Sequence, residues 1–98
     1  MTISEIPAAF REDIQRATEI LKGVGCTDVY LFGSLVNGEA GARSDIDLAV
    51  RGCPKNRFFQ ALGKLLVELD RPVDLVDLDQ ADAFAKYLEA NEELVRVA

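Results

Sequence analysis

Two short motifs at a fixed spacing constrain this chain more than any other feature. The run Leu31-Phe32-Gly33-Ser34 closes a hydrophobic segment with a Gly-Ser pair, and Asp45-Ile46-Asp47-Leu48 follows after ten intervening residues. Because residues i and i+2 of a β-strand point to the same face, Asp45 and Asp47 are predicted to project side by side. The apolar residues that alternate with them would point the other way, into the core. The second motif therefore predicts a half-buried strand that carries two adjacent carboxylates.

The paired carboxylates of Asp45 and Asp47 indicate a metal site. Two carboxylates held this close repel each other unless a cation lies between them. A site with oxygen ligands alone favours Mg²⁺ or Mn²⁺ over zinc. The Gly33-Ser34 turn nearby offers backbone N–H groups and a hydroxyl to a phosphate. Together the two motifs predict metal-assisted transfer of a nucleotide.

The motif pair resembles the signature of the DNA polymerase β-like nucleotidyltransferase superfamily: Gly-Ser, ten residues, Asp-x-Asp. The resemblance runs from about Val29 through Asp79, and the short chain is similar to the minimal nucleotidyltransferase (MNT) branch. Many members of that branch are antitoxins paired with HEPN-domain toxins. The resemblance implies a nucleotidyltransferase fold, ATP as the donor and transfer of AMP to a hydroxyl, often tyrosine, on the cognate toxin. The modification would silence the toxin's RNase activity.

The family pattern also implies a third carboxylate, on a later strand within a hydrophobic-acid-hydrophobic run. The segment Pro72–Asp77 supplies it, since Asp74 lies between two apolar residues and faces opposite to both. Asp77 has the other parity and is interpreted as a turn or capping residue. The implied catalytic and metal-binding residues, with two Mg²⁺ or Mn²⁺ ions expected, are Asp45, Asp47 and Asp74. Gly33 and Ser34 are the implied nucleotide-binding residues.

One position departs from the family pattern. Members of this branch often carry a basic residue just after Gly-Ser, where this chain has Leu35. A cation there would help to hold the triphosphate. Other basic residues close to the motifs could supply that charge, and the sequence does not choose among them: Arg43, Arg51, Lys55 and Arg57.

Composition excludes several chemistries. The chain has 11 basic and 17 acidic residues, a net charge of −6 and no histidine, so a histidine base, a histidine metal ligand and a Ser-His-Asp triad are all excluded. The acidic balance argues against binding to duplex nucleic acid. An acidic surface is compatible with a basic protein partner, as an antitoxin would need. Ninety-eight residues are enough for one domain, spanning 1–98.

The cysteines and the N-terminus give information about the cellular compartment of the protein. Cys26 and Cys53 form no CxxC motif and have no histidine companions, so zinc is not expected and both are predicted to be reduced, buried or half-buried thiols. The N-terminus lacks the pattern of a signal peptide, and no apolar run reaches the length of a membrane span. A cytoplasmic location is therefore expected.

Hydrophobic spacing and breaker residues predict seven segments in the order αβαβαβα. Apolar residues at helical spacing, such as Phe10, Ile14 and Leu21, mark helices, whereas β-branched and aromatic runs mark strands. The short spacer between the motifs leaves little room for a crossover, so an antiparallel first pair is expected. The predicted class is α/β (α+β), with a three-stranded mixed sheet and packed helices. The predicted helices are 8–22, 34–37, 54–69 and 80–97, with a break near Asn91 as an alternative for the last one. The predicted strands are 27–32, 45–51 and 73–76.

Simpler explanations exist for each motif taken alone. An isolated Gly33-Ser34 pair could be an ordinary strand-to-helix turn, and Asp47 could be a solvated residue on a half-exposed strand. Aspartate is depleted in strand interiors, however, so two on one face together with Asp74 favour a functional site. Phe58, Phe59 and Phe84 are interpreted as core or partner-interface residues. Two other functions remain open: a binding module that neutralises its partner by occlusion alone, and a sensor that binds ATP without transferring it.

Overall fold

A computed structural model describes residues 6–38, 41, 44–80, 83–91 and 94–98 of the chain. None of the helices in these ranges is long and apolar enough to cross a membrane. A short 3₁₀ helix, Lys55–Arg57, leads into the third α-helix. In chain order the elements are α1 (Ala8–Val24), β1 (Asp28–Phe32), α2 (Ser34–Asn37), β2 (Ile46–Arg51), α3 (Phe58–Glu68), β3 (Val73–Asp77), α4 (Ala83–Asn91) and β4 (Val95–Arg96).

The strands form one mixed sheet in the order β3-β2-β1-β4. β1 and β2 are antiparallel, as predicted, with Phe32 opposite Asp47. β2 and β3 are parallel, with Asp47 opposite Asp74. A parallel pair needs a crossover connection, and α3 provides it between β2 and β3. The predicted mixed sheet with packed helices is therefore confirmed, and its register brings two of the three predicted carboxylates to neighbouring positions.

The sheet has four strands rather than the predicted three. The predicted final helix 80–97 is wrong as a continuous helix, because α4 ends at Asn91, where the sequence allowed a break. Val95 lies in β4, opposite Leu31 of β1. The backbone of Val29 explains the difference: its N–H donates to the carbonyl of Ala98 at 3.1 Å, and its carbonyl accepts from Val97 N–H at 2.8 Å. Pairing with the chain end satisfies backbone groups that β1 would otherwise leave unpaired.

The two faces of the sheet have different roles. Apolar residues on one face, including Leu31 and Leu48, are fully buried in the main core with α1 and α3. On the other face Phe32 and Ala49 pack against Leu88 of α4 in a smaller cluster. Asp47 and Asp74 share the parity of this second face, so the site lies on the side of the sheet away from the main core. The predicted stripe of α1 is buried as expected: Phe10, Ile14, Ala17 and Leu21.

The prediction that both cysteines are reduced thiols is wrong, because a disulfide joins Cys26 to Cys53. The register of β1 and β2 explains why. Asp28 pairs with Arg51, so continuing the same antiparallel register places residue 26 opposite residue 53. The disulfide therefore ties the start of β1 to the segment that follows β2. Sequence spacing alone cannot show this proximity.

Reduction of the disulfide should destabilise the fold. The cross-link closes a loop between residues 27 positions apart, and loop-closure entropy predicts a loss of about 3.5 kcal/mol in the free energy of unfolding. Urea denaturation with and without a phosphine reductant measures it, and a Cys26→Ser/Cys53→Ser variant, insensitive to the reductant, is the control. Two alkylatable thiols in the unreduced, denatured protein would contradict this account.

Candidate active site

A cavity of about 820 Å³ lies where α3, β3 and α4 meet the ends of β1 and β2. Its volume is near the upper end of the roughly 300–1,000 Å³ typical of small-molecule sites. Carboxylates, one lysine and several aromatic rings converge on it. Its lining residues are Phe32, Gly33, Asp47, Lys55, Phe58, Phe59, Asp74, Leu75, Val76, Asp77, Gln80 and Phe84.

Asp47 and Asp74 form the acidic centre of the cavity. The two residues are direct neighbours across the parallel β2–β3 pair, so their side chains project from the same face. Asp47 is half-buried and Asp74 is exposed. Alternation explains the arrangement: each aspartate lies between apolar residues that point into the main core. This pairing places two carboxylate groups, whose oxygens can act as metal ligands, in one cavity.

Gly33 fits against the carboxylate of Asp47. Its φ of 78° lies in the region that favours glycine, and a Cβ at this position would come within 2.2 Å of Asp47 Oδ2. Its carbonyl accepts hydrogen bonds from the N–H groups of Val36 and Asn37, so Gly33 also starts α2. The Gly-Ser motif therefore determines both where Asp47 lies and where the short helix begins.

The structure brings together only part of the predicted site. Gly33, Asp47 and Asp74 line the cavity, whereas Asp45 is exposed just before β2 and Ser34 is half-buried in α2, both outside the lining. Among the residues that the structure describes, no three acidic or other metal-ligating side chains are grouped closely enough to hold an ion. Two of the three carboxylates that were predicted to cluster, Asp47 and Asp74, are therefore neighbours in the structure.

Asp77 has the turn role predicted for it and a second position that was not predicted. Its Oδ1 accepts a hydrogen bond from the N–H of Asp79 at 2.9 Å, which stabilises the turn after β3. The same residue lines the cavity. Asp79 in turn accepts from the N–H of Gly52 at 2.6 Å. These contacts connect the end of β3 to the end of β2.

Of the four candidate cations, Lys55 lines the cavity. Arg51 has other partners: its guanidinium lies 3.2 Å from Glu89 and above the ring of Tyr30. Arg57 donates to the carbonyl of Val24 at 3.4 Å, and Arg43 lies outside the described residues. Because Lys55 belongs to a helical turn distant in sequence from the Gly-Ser motif, only the tertiary structure singles it out.

The pKa of Arg51 reflects its neighbours. Partial burial lowers the pKa of the guanidinium, but the hydrogen bond with Tyr30 and the charge and hydrogen bond of Glu89 outweigh it and raise the pKa above its ordinary value. Arg51 therefore stays charged and in contact with Tyr30 of β1 and Glu89 of α4. Among the candidates that lie in the described ranges, Lys55 is the cation that lines the cavity.

Two of the four aromatic residues that line the cavity are largely exposed. Phe59 is 80% exposed and Phe84 is 54% exposed, so neither is a core residue. Phe58 is half-buried against the main core and meets Phe59 edge to face, with ring centroids 5.5 Å apart. The sequence allowed a core role or a partner-interface role for these residues, and the core role is wrong for Phe59 and Phe84. Exposed rings beside carboxylates provide apolar contact surface at the site.

Comparison with protein families gives one match. The family model described as "Polymerase beta, Nucleotidyltransferase" matches residues 14–96, which is most of the chain. No curated protein sequence matches the chain.

Several solved structures share the fold. A crystal structure of a toxin-antitoxin with AMP-PNP is 27% identical, with a TM-score of 0.65, covering 86% of this chain and 73% of that one. The toxin-antitoxin MntA-HepT is 23% identical, with a TM-score of 0.62, covering 90% and 73%. A tri-AMPylated Shewanella oneidensis HEPN toxin in complex with MNT antitoxin is 23% identical, with a TM-score of 0.60, covering 90% and 72%. At 23% identity the last two show likeness of fold alone.

The variant Gly33→Ala should lose stability. A methyl group at this position meets the Asp47 carboxylate and requires a backbone conformation that alanine rarely adopts, so the free energy of unfolding should fall by at least about 1 kcal/mol. The matched control is Gly23→Ala in α1, where a Cβ has open space and alanine should stabilise the helix by up to about 1 kcal/mol. Urea denaturation measures both, and equal stability of the two variants would contradict the proposed fit.

Proposed function

The chain belongs to the polymerase β nucleotidyltransferase family, and we propose that it transfers AMP from ATP to a hydroxyl group of a partner protein. The pairing of Asp47 with Asp74 in one cavity is the observation that carries this proposal. The two carboxylates can hold metal ions, and the neighbouring lysine and glycine turn can bind phosphate oxygens. The cavity therefore offers groups suited to binding a triphosphate. The proposed partner is a cognate HEPN toxin, which makes the chain an antitoxin.

Gly33, Lys55 and Asp74 line the cavity, and their proposed roles follow from that position. The proposed role of Ser34, which lies outside the lining, follows from the family pattern. Gly33 and Ser34 bind the β- and γ-phosphates through backbone N–H groups and a hydroxyl, and Lys55 neutralises part of the triphosphate charge. Asp74 accepts the proton of the attacking hydroxyl. The acceptor oxygen forms a bond to the α-phosphorus while the bond to the pyrophosphate oxygen breaks, so AMP is transferred and pyrophosphate leaves.

The donor set fits Mg²⁺, with Mn²⁺ as an alternative. Asp47 and Asp74 supply the carboxylate oxygens that such hard cations prefer, and neither histidine nor thiolate competes. We assign Asp45 the part of a further ligand, because it is exposed two residues before Asp47. Bound ions of this kind stabilise charge on the entering and leaving oxygens of a phosphoryl group.

A protein acceptor is supported by the solved structures that the chain resembles. The similar structure with AMP-PNP is a toxin-antitoxin, and the fold is shared with an MNT antitoxin found with an AMPylated HEPN toxin. Both support the same pairing for this chain.

Occlusion without catalysis is the second candidate function. The position of Asp45 outside the cavity and the missing basic residue at Leu35 favour it. Under this reading the chain would neutralise its partner by covering it, and neither ATP nor the aspartates would be needed. The two functions therefore differ in their dependence on Asp47 and Asp74.

Substitution of either central aspartate should abolish transfer. The assay mixes purified protein, Mg²⁺ and the product of the neighbouring gene or a host extract with ATP labelled at either the α- or the γ-phosphate. Asp47→Asn and Asp74→Asn should each lower incorporation of the α-label by at least about a hundredfold, because they remove charge at the reacting phosphate. Asp70→Asn, an exposed carboxylate outside the cavity, is the matched control.

The phosphate from which the label is transferred distinguishes the candidate functions. Transfer from the α-phosphate alone, by the intact chain and by Asp70→Asn, supports adenylylation. A stable complex with the partner that forms without ATP, survives both active-site substitutions and carries no label would contradict it and support occlusion. Binding of ATP without labelled acceptor would instead indicate a sensor.

Removal of the Lys55 charge should weaken nucleotide binding. Lys55→Ala is expected to raise KM for ATP roughly tenfold, since one charge-assisted contact to the triphosphate is lost. Lys64→Ala, an exposed lysine of α3 outside the cavity, should leave KM unchanged. Steady-state kinetics over a range of ATP concentrations measures both. An equal KM in the two variants would remove Lys55 from the site.

A further inference from the structure

β3 is the last strand of the sheet, and its outer edge faces the cavity. In the described part of the chain, β2 is the one strand that pairs with β3. An edge strand presents backbone N–H and carbonyl groups that can pair with another chain. Most soluble proteins cover or distort such edges, so an edge that opens into a functional cavity indicates a binding surface.

The hydrogen bonds that flank β3 show which backbone groups point outward. Pro72 accepts from the N–H of Ile46, and Leu78 donates to the carbonyl of Val50, so even-numbered residues face β2. Because the N–H and carbonyl of one residue point to the same side and alternate along a strand, odd-numbered residues face away. The outward residues of β3 are Val73, Leu75 and Asp77. Val73 is buried, and the carbonyl of Asp77 accepts from the N–H of Gln80 at 3.2 Å, so the edge offers the backbone groups of Leu75 and the N–H of Asp77.

The cavity follows this outer edge on both sides. Leu75 and Asp77 line it, Phe58 and Phe59 reach it from α3, and Phe84 reaches it from α4. The exposed rings of Phe59 and Phe84 offer apolar contacts to side chains that alternate above and below an added strand. The edge therefore has both elements of strand recognition, main-chain groups for affinity and side-chain surfaces for selectivity.

We propose that the segment of the partner protein that carries the acceptor hydroxyl binds in an extended conformation, as an additional strand along the outer edge of β3. This inference rests on the proposed function, since it identifies how the acceptor reaches that same site. The occupant is a peptide segment, because the backbone groups that β3 offers at Leu75 and Asp77 are those of a strand edge.

Strand addition would bring the acceptor close to the reacting groups. Neighbouring strands lie about 4.8 Å apart, and side chains on the same face of adjacent strands are direct neighbours. An acceptor side chain on the face of Asp74 would therefore lie beside that carboxylate, with Asp47 one strand further on. A long side chain such as tyrosine would reach from the added strand toward Asp74 and Asp47.

Charge favours a basic acceptor segment. Asp74 and Asp77 lie on β3, and the chain as a whole carries a net charge of −6. Lysine or arginine residues on either side of the acceptor hydroxyl would complement this surface and speed association. An acidic segment would be repelled.

The test uses a synthetic peptide with a defined sequence. The probe is a central tyrosine flanked by alternating valine and lysine, as long as β3 with one further lysine at each end. Two matched versions carry N-methyl groups on alternate residues, one on the odd and one on the even positions. Only one of these two sets of N–H groups can point toward β3 in a given register, so one version should bind at least about tenfold more weakly than the other.

The readouts are AMP transfer to the peptide, peptide affinity and hydrogen exchange of the β3 amides. We expect unequal affinity of the two N-methylated peptides, together with slowed exchange at Leu75 N–H. The N–H of Asp74, which already faces β2, should be little affected by the peptide. A peptide with tyrosine replaced by phenylalanine should bind equally well and accept no label.

Failure of the inference and failure of the proposed function give different results. Labelling and binding that are equal for both N-methylated peptides would overturn strand addition and leave adenylyl transfer in place. Alternating sensitivity and Leu75 protection without any label would support the edge as a binding surface and contradict transfer. No binding of the parent peptide would overturn the inference, because main-chain pairing tolerates many sequences.

Discussion

The contact between the Asp47 carboxylate and the backbone of Gly33 is the constraint on which the site depends. It forms because β1 and β2 are antiparallel with Phe32 opposite Asp47, so the residue after β1 lies beside the aspartate. Only glycine leaves room for that carboxylate and adopts the required backbone conformation. The parallel pairing of β2 with β3 then adds Asp74 on the same face. One central strand thus positions both halves of the candidate active site.

Alternation along β2 places the residues that stabilise the fold and the residue of the candidate site on opposite faces of the sheet. Apolar residues of β2 point into the main core, and the aspartate between them points to the other face, where α4 covers only part of the sheet. The uncovered part is bordered by Lys55, by exposed aromatic rings and by the outer edge of β3. One cavity therefore contains both the proposed nucleotide site and the proposed protein-binding edge, which fits an acceptor that arrives on another molecule.

Local sequence patterns predicted the parts of the structure that depend on neighbouring residues. Strand alternation predicted the face on which Asp47 lies, and the short spacer predicted the antiparallel first pair. Asp74 was identified from the family pattern, and alternation predicted the face on which it lies. β4 was missed because Val95 fits a helix or a strand equally well, and its pairing with Leu31 is a long-range contact. The Cys26–Cys53 disulfide depends on strand register in the same way. The sequence did not choose Lys55 from the four candidate cations and did not assign Phe59 to the site. Only the tertiary structure shows which exposed helical residues line the cavity.

The central claim is that Asp47 and Asp74 act as one metal-dependent centre. The most direct measurement is a double-mutant cycle on Mn²⁺ affinity in the presence of a non-hydrolysable ATP analogue, with bound Mn²⁺ followed by electron paramagnetic resonance. If the two carboxylates share an ion, Asp47→Asn, Asp74→Asn and the double variant should lose affinity to nearly the same extent. Losses that multiply in the double variant, or an affinity unchanged by either substitution, would contradict the account.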